Sequence, residues 1–348
     1  MSYEILSKPE EIYSKMLNDI NLAKKEILLE TYIYSNDKIG RMFREALIKK
    51  AKEGIKVKLL VDSWGSSAKK HFFKELTNLG AEVRYFKKLV YAFKIIGANH
   101  ERNHRKLLLI DNQISYIGSI NITSEGLDWV ELVIRFDEEI SLVFRRTFYH
   151  SWKRFNKDFK KRMRNIIHKN FKIIQDSPHE KHRYIENSYR KIILKAKKEI
   201  LIETPYFIPS PIIRYAIRKA IKKGVKIKII LPENSDKIFM DLIRNNYLGR
   251  LYRNGVKIYF YPKILHSKLL IADDKYFLLG SSNLDHRSFI HQFEINLLGE
   301  HEEINTALKE YFVKQLSESK KFNYKIWKQR KNFKKFLEFF LNKVEKYF

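Results

Sequence analysis

The chain has 348 residues, room for about two domain-sized units. It has no cysteine, which excludes disulfides, a thiolate nucleophile and Cys-ligated zinc, and its 44% hydrophobic content argues for a packed globule over a disordered chain. Its 69 Lys and Arg against 40 Asp and Glu leave a net charge of +29, which points to an anionic partner: nucleic acid or the anionic face of a membrane.

The N-terminus, MSYEILSKPEEIYSKM, carries acids and a proline where a signal peptide needs an apolar core. No apolar run approaches the roughly 20 residues that span a bilayer. The expectation is a soluble or peripheral protein. The first strand signal is EILLETYI, from residue 26, followed by a helix over GRMFREALIKKAKE that closes at Gly54, as helix C-termini prefer. KVKLLVD at 56–62 reads as the next strand and NLGAEVRYF at 78–86 as another. The segment 87–103, KKLVYAFKIIGANHERN, is basic and aromatic and has no counterpart later in the chain. Then comes HRKLLLID (104–111) and, six residues on, GSIN (118–121).

Residues 138–170 read as a basic helical connector, with Trp152, Phe155 and Phe159 on one face. After it the pattern repeats in the same order. AKKEILIET (196–204) answers AKKEILLET (23–31); KAIKKGVKIKIILP (219–232) answers KKAKEGIKVKLLVD (49–62); RNGVKIYFY (253–261) answers NLGAEVRYF; HSKLLIAD (266–273) and GSSN (280–283) answer HRKLLLID and GSIN. A spacing this long marks a duplicated domain, not a solenoid. The expected boundaries are a first half over 1–137, the connector over 138–170, a second half over 171–315 and a tail over 316–348. Alternating strands and helices predict an α/β fold, each half a mostly parallel mixed sheet flanked by helices, with the site at the interface between halves. From Lys320 the tail holds ten Lys or Arg and two Glu. Phe333, Phe336, Leu337, Phe340, Leu341, Val344 and Phe348 form a helical stripe, with Lys334, Lys335, Lys343 and Lys346 off it. That is the pattern of a basic amphipathic helix, which either lies on an anionic membrane or docks on the protein's own core.

If each twin motif lies in a strand, His104 and Lys106 share a face, as do His266 and Lys268. Asp111 and Asp273 fall on the opposite parity and are expected to buttress the strand end or the following turn and to stay out of the chemistry. In GSxN the Gly is expected to permit a tight turn, while Ser119, Asn121, Ser281 and Asn283 supply neutral donors to an anion. Glu131 and Glu294 lie 27 and 28 residues past His104 and His266, placed to accept a histidine Nδ1 proton and free Nε2 to react. Joined across a pseudo-twofold axis, the two halves offer two imidazoles and two ammonium groups to one phosphodiester. One His serves as nucleophile and the other as acid and base, and neither metal nor cofactor is called for. HERNH at 100–104 matches a zinc-protease pattern, but that chemistry needs both His on one helix, and the second His here begins the twin motif.

Both motifs match H-x-K-x4-D-x6-G-S-x-N at every position, and the chain resembles the phospholipase D superfamily. ETYIYSNDKIG, LLVDSWGS, ETPYFIPS, LHSKLLIADDKYFLLGSSNLDHRSF and FEINLL are most similar to bacterial cardiolipin synthases, over about residues 10–315. The resemblance implies that His104, Lys106, Asp111, His266, Lys268 and Asp273 form the active site and that Asn121 and Asn283 contact phosphate. It also implies that Glu131 and Glu294 hold the histidines, that His104 is the nucleophile, and that the reaction moves a phosphatidyl group from phosphatidylglycerol to a second lipid hydroxyl. The implied partners are anionic phospholipids (phosphatidylglycerol, cardiolipin) and a membrane surface met through the tail and segment 87–103. The implied setting is peripheral, on the cytoplasmic side of a bacterial membrane, with one chain as the catalytic unit. Water in place of the acceptor gives a phospholipase, the same twin motif serves nucleases, and a non-catalytic lipid or nucleic-acid binder is the remaining alternative.

Overall fold

The computed structural model describes residues 2–87, 101–153, 155, 165–178 and 182–344. The first half runs β1 (Tyr3–Leu6), α1 (Pro9–Leu22), β2 (Glu26–Thr31), α2 (Lys38–Lys52), β3 (Lys56–Asp62), α3 (Lys74–Asn78), β4 (Glu82–Phe86), β5 (Arg102–Asn103), β6 (Leu107–Ile110), β7 (Ile114–Gly118) and β8 (Val133–Asp137). The connector gives α4 (Ile140–Trp152) and β9 (Ile166–His168). The second half runs β10 (Phe171–Asp176), α5 (Tyr184–Lys195), β11 (Glu199–Glu203), α6 (Pro211–Lys222), β12 (Lys226–Pro232), α7 (Ile238–Arg253), β13 (Lys257–Tyr261), β14 (Leu269–Ala272), β15 (Tyr276–Gly280), α8 (His286–Ile290) and β16 (Gln292–Gly299). Then follow α9 (Glu302–Ser317), β17 (Lys320–Lys321), α10 (Tyr324–Lys328) and α11 (Asn332–Val344).

The duplication is visible in the pairing. One sheet is ordered β1-β8-β7-β6-β2-β3-β4; the other contains β10-β16-β15-β14-β11-β12-β13, with β9 and β17 added at its edges. Both are mixed, as expected, but most neighbours are antiparallel; β2-β3-β4 and β11-β12-β13 run parallel. The departure lies in the twin-motif strands. Asp111 and Asn112 adopt φ of 54° and 63°, and Asp273 and Asp274 adopt 54° and 56°. Two successive left-handed residues make a tight hairpin turn, which Asp and Asn tolerate, so each motif strand folds straight back on the next.

Side chains of the motif strands alternate between two cores. Leu107 and Leu109 join a cluster that also holds Leu269 and Ile271 of the other half, with Phe144 of α4 and Leu308 of α9. Leu108 and Ile110 face the first half's own core with α1 and α2; Leu270 and Ala272 face the second half's. Each fully buried leucine contributes about 1.5–3 kcal/mol, so the shared cluster clamps the halves together beneath the motifs. Gly54 and Gly224, at φ 79° and 83°, follow the ends of α2 and α6 as the sequence predicts.

Trp152 is buried and Phe155 packs against the shared core, while Phe159 lies outside the described residues. So does most of segment 87–103, including His100. In the tail, the stripe divides. Leu341 packs on the small cluster of Ile208, Met240 and Ile243, and Glu338 is buried against Arg330 and Asn245. Phe333, Phe336, Phe339 and Phe340 remain 72, 64, 61 and 59% exposed. The helix both docks and presents an aromatic face. Val344 and Phe348 fall outside the described side chains.

Candidate active site

His104–Lys106 and His266–Lys268 are not themselves in strands; β6 and β14 begin one residue later. What fixes them is backbone pairing across the halves. β5 runs parallel to the start of β16, and His104 N donates to Phe293 O at 3.0 Å. Reciprocally, Val130 pairs with Leu265, and His266 N donates to Val130 O at 2.7 Å. The strand leading to each histidine is therefore pinned to the strand leading to the other half's glutamate.

The side chains follow. His104 Nδ1 lies 3.0 Å from Glu294 Oε1, and His266 Nδ1 lies 2.9 Å from Glu131 Oε1. Each carboxylate is buried and accepts a hydrogen bond from the hydroxyl of its own half's GSxN serine, Ser119 to Glu131 and Ser281 to Glu294. Those serines also accept the backbone N–H of Leu132 and Ile295, so they hold the glutamates and are not free donors for an anion. The preceding glycines act by close approach, not by a turn: a Cβ on Gly118 would sit 2.2 Å from Leu132 O, and on Gly280 2.3 Å from Ile295 O.

Lys106 and Lys268 are buried, and each donates through Nζ to the carbonyl of the histidine two residues before it. The Glu294 and Glu131 carboxylates favour the charged form of both ammonium groups against burial. Asp111 and Asp273 are not brought to the site. Each sits seven residues past its histidine, roughly 20 Å along an extended chain, at the hairpin turn. Asp111 accepts the N–H groups of Lys24, Lys25 and Glu26 at 2.6, 2.7 and 2.9 Å; Asp273 accepts those of Lys197, Lys198 and Glu199 at 2.6, 2.7 and 3.0 Å. They tie the turn to the start of the neighbouring strand.

Both histidines and both asparagines open onto one cleft of about 430 Å³. Asn121 Oδ1 accepts Ile33 N at 3.3 Å, whereas Asn283 Oδ1 is buried without a partner among the described residues. Tyr32 meets the His104 ring edge-on at 5.1 Å, and Trp129 meets His266 at 5.4 Å. Arg287, Asp236, Phe239 and Met240 complete much of the wall. Sequence reasoning missed these residues, although Trp129 stands two places before Glu131 and Arg287 four past Asn283.

The two dyads differ electrostatically. Burial drives the His104 imidazole well below its ordinary range, and Lys106, Lys268, His266 and Arg287 push the same way. His266 is lowered by burial too, but Glu131 pulls it back up. Burial would raise Glu131, yet His266, Lys268 and the Ser119 hydroxyl bring it below the usual carboxylate range. Glu294 is pushed up to about 7 by burial, against the pull of Lys106. Burial also lowers Lys106 to about 7 and Lys268 to about 8. Both imidazoles are thus biased toward the neutral ring, His104 more strongly, and the Glu131 carboxylate makes His266 the easier of the two to protonate.

Comparison with known proteins adds the kinship. Residues 16–177 and 189–316 match the family described as "Cardiolipin synthase, PLD-like domain". The chain is 36% identical over 325 residues to a "Cardiolipin synthase" of Clostridium perfringens (strain SM101), covering 88% of this chain and 68% of that one. It is 33% identical over 352 residues to "Major cardiolipin synthase ClsA" of Bacillus subtilis (strain 168), covering 94% and 72%. Among solved structures, phosphatidylserine synthase of Haemophilus influenzae Rd KW20 shares the fold, with a TM-score of 0.77 at 15% identity over 99% of this chain and 95% of that one.

Proposed function

Since the chain belongs to the cardiolipin synthase, PLD-like domain family, we propose that it is a phosphatidyltransferase that moves a phosphatidyl group from phosphatidylglycerol to the hydroxyl of a second lipid. The observation that carries this reading is the pair of reciprocal His–Glu dyads opening onto one cleft.

Neutral His104, its Nδ1–H held by Glu294, attacks phosphorus through the Nε2 lone pair. The P–O bond to glycerol breaks as His266 gives its proton to the departing oxygen, leaving a phospho-His104 intermediate. The acceptor hydroxyl then gives its proton to His266 and attacks phosphorus from the vacated side, and the P–N bond to His104 breaks. Lys106 and Lys268 balance the phosphoryl charge, and Asn121 and Asn283 orient the oxygens. One chain supplies both dyads, which supports a monomeric catalytic unit.

Among the described residues no helix is long and apolar enough to cross a membrane. We place the protein peripherally on the cytoplasmic face of a bacterial membrane, held by the basic tail. In support, the four exposed α11 phenylalanines each gain about 1.5–3 kcal/mol on entering an apolar phase. Segment 87–103 is proposed as a second contact on its composition alone.

Incubation of the purified protein with phosphatidylglycerol vesicles, with products read by mass spectrometry, tests the reaction. Cardiolipin and glycerol are expected. Phosphatidic acid would make the protein a hydrolase, and cleavage of DNA without lipid turnover would overturn the reading.

A further inference from the structure

Away from the cleft, α6 and α7 enclose a cavity of about 150 Å³, large enough for several water volumes and lined by Arg214, Arg218, Arg250, Asn246, Asn254 and Tyr247 beside apolar side chains. Among the described residues no carboxylate lines it. Arg214 is held in place: its Nη1 donates to Pro209 O at 2.8 Å and to the Tyr247 hydroxyl at 3.2 Å, and its guanidinium lies 5.3 Å from the Tyr247 ring centroid. Arg218 and Arg250 are exposed and enter no ion pair among the described residues.

The duplication supplies an internal control. The corresponding groove of the first half, between α2 and α3, is lined by Arg44, Lys49 and Lys52 but also by Glu45, Glu53 and Glu75. Glu53 is engaged by Lys50, and Glu75 lies 3.5 Å from Lys52. The fold therefore does not require three uncompensated arginines at this place. Guanidinium groups pair bidentately with phosphate oxygens, and three around one cavity suit a phosphodiester.

The neighbourhood favours a lipid over a free anion. Asn246 lines the cavity and donates through Nδ2 to Glu338 O of α11 at 2.8 Å, so the helix with the four exposed phenylalanines flanks the site. Glu338 itself is occupied by Arg330. The first turn of α7 supplies Phe239 and Met240 to the catalytic cleft.

We propose that the α6–α7 cavity is a second, non-catalytic site for the phosphate headgroup of an anionic phospholipid. There it anchors the second half to the leaflet and sets the cleft against the membrane. The identification of lipid as the ligand rests on the phosphatidyltransferase reading; the test does not need turnover.

The full chain is floated with phosphatidylcholine vesicles containing a minority of phosphatidylglycerol. R218Q/R250Q is expected to bind roughly 10- to 30-fold more weakly, as two lost charges at an anionic surface predict. K49Q/K52Q, the same charge loss in the first-half groove, is expected to bind as wild type. R218K/R250K, which keeps charge but loses bidentate geometry, is expected to fall between. Thermal melts establish that each variant is folded. Equal weakening in K49Q/K52Q would reduce the effect to diffuse charge and overturn the site. So would vesicle binding by R218Q/R250Q at wild-type strength, whether or not its retention of duplex DNA falls. Binding of wild type to inorganic phosphate as strongly as to soluble short-chain phosphatidylglycerol would overturn the lipid assignment. Lipid binding through these arginines by a protein that turns over no lipid would instead overturn the catalytic reading and leave this one standing.

Discussion

The two halves share a chain path and a motif but not an environment. In the first half, buried Asp62 accepts the N–H groups of Trp64, Gly65 and Asn103, and Arg102 lies 3.6 Å from it; the second half puts Pro232 and Ile264 at those places. Arg105, buried beside Glu30 and donating to Gln175, corresponds to Ser267, which bonds Glu203. Tyr32 against His104 corresponds to Pro205, and Trp129 against His266 to Gln292. Duplication built a symmetric frame, and substitution around it left two equivalent histidines unequal, with His104 held more firmly neutral than His266.

The sharpest way to break that comparison is to remove each histidine. His104→Asn and His266→Asn should each cost roughly 10⁴- to 10⁶-fold in turnover. The two losses differ in kind: intact-protein mass spectrometry should find a trapped phosphatidyl adduct in His266→Asn given an activated leaving group, and none in His104→Asn. An adduct in both, or only in His104→Asn, would reverse the roles. On stability, Arg102→Met leaves Asp62 buried without its cation and should cost about 3–5 kcal/mol, read by denaturant unfolding; a cost near zero would mean the asymmetry is ornamental. Glu294→Gln and Glu131→Gln should each lower kcat about 10²- to 10³-fold. Only Glu131→Gln should be rescued by a substrate whose leaving group needs no proton.

Asp111→Asn and Asp273→Asn should cost about 1–3 kcal/mol of stability each while the folded protein keeps kcat within a few-fold. A larger loss of kcat would return these residues to the chemistry. The mildest effect is the pH profile. Glu294, with a pKa of about 7, must lose its proton to hold the Nδ1–H tautomer of His104, so kcat/KM should rise through pH 7. Lys106 and Lys268, at about 7 and about 8, must keep theirs, so it should fall as pH rises through that range. The result is a narrow bell, and Glu294→Gln should flatten its acid side; a plateau from pH 6 to 9 would exclude this set of titrating groups.

Much of this was readable in the residues. The repeat, the glycine caps and the twin His-Lys pairs are local patterns, and burial of alternate leucines follows from strand parity. The antiparallel return at each motif was missed because alternating strands and helices were taken to mean a mostly parallel sheet, although Asp-Asn and Asp-Asp each form a hairpin turn. The role of Gly118 depends on how near β8 lies, which no local window contains. The crossed dyads were hidden for a deeper reason. Comparing halves aligns Glu131 with Glu294 and His104 with His266, but nothing in the alignment says which Glu meets which His. That depends on how the halves dock, and the partners stand 190 residues apart for His104 and 135 for His266.

The crossing makes the site a logical conjunction. Neither half holds a finished dyad: the first has a histidine awaiting Glu294 and a glutamate awaiting His266. A chain truncated within the second half, or still leaving the ribosome, keeps His104 unoriented until residue 294 arrives. On the proposed mechanism, competence therefore requires both copies of the duplicated unit.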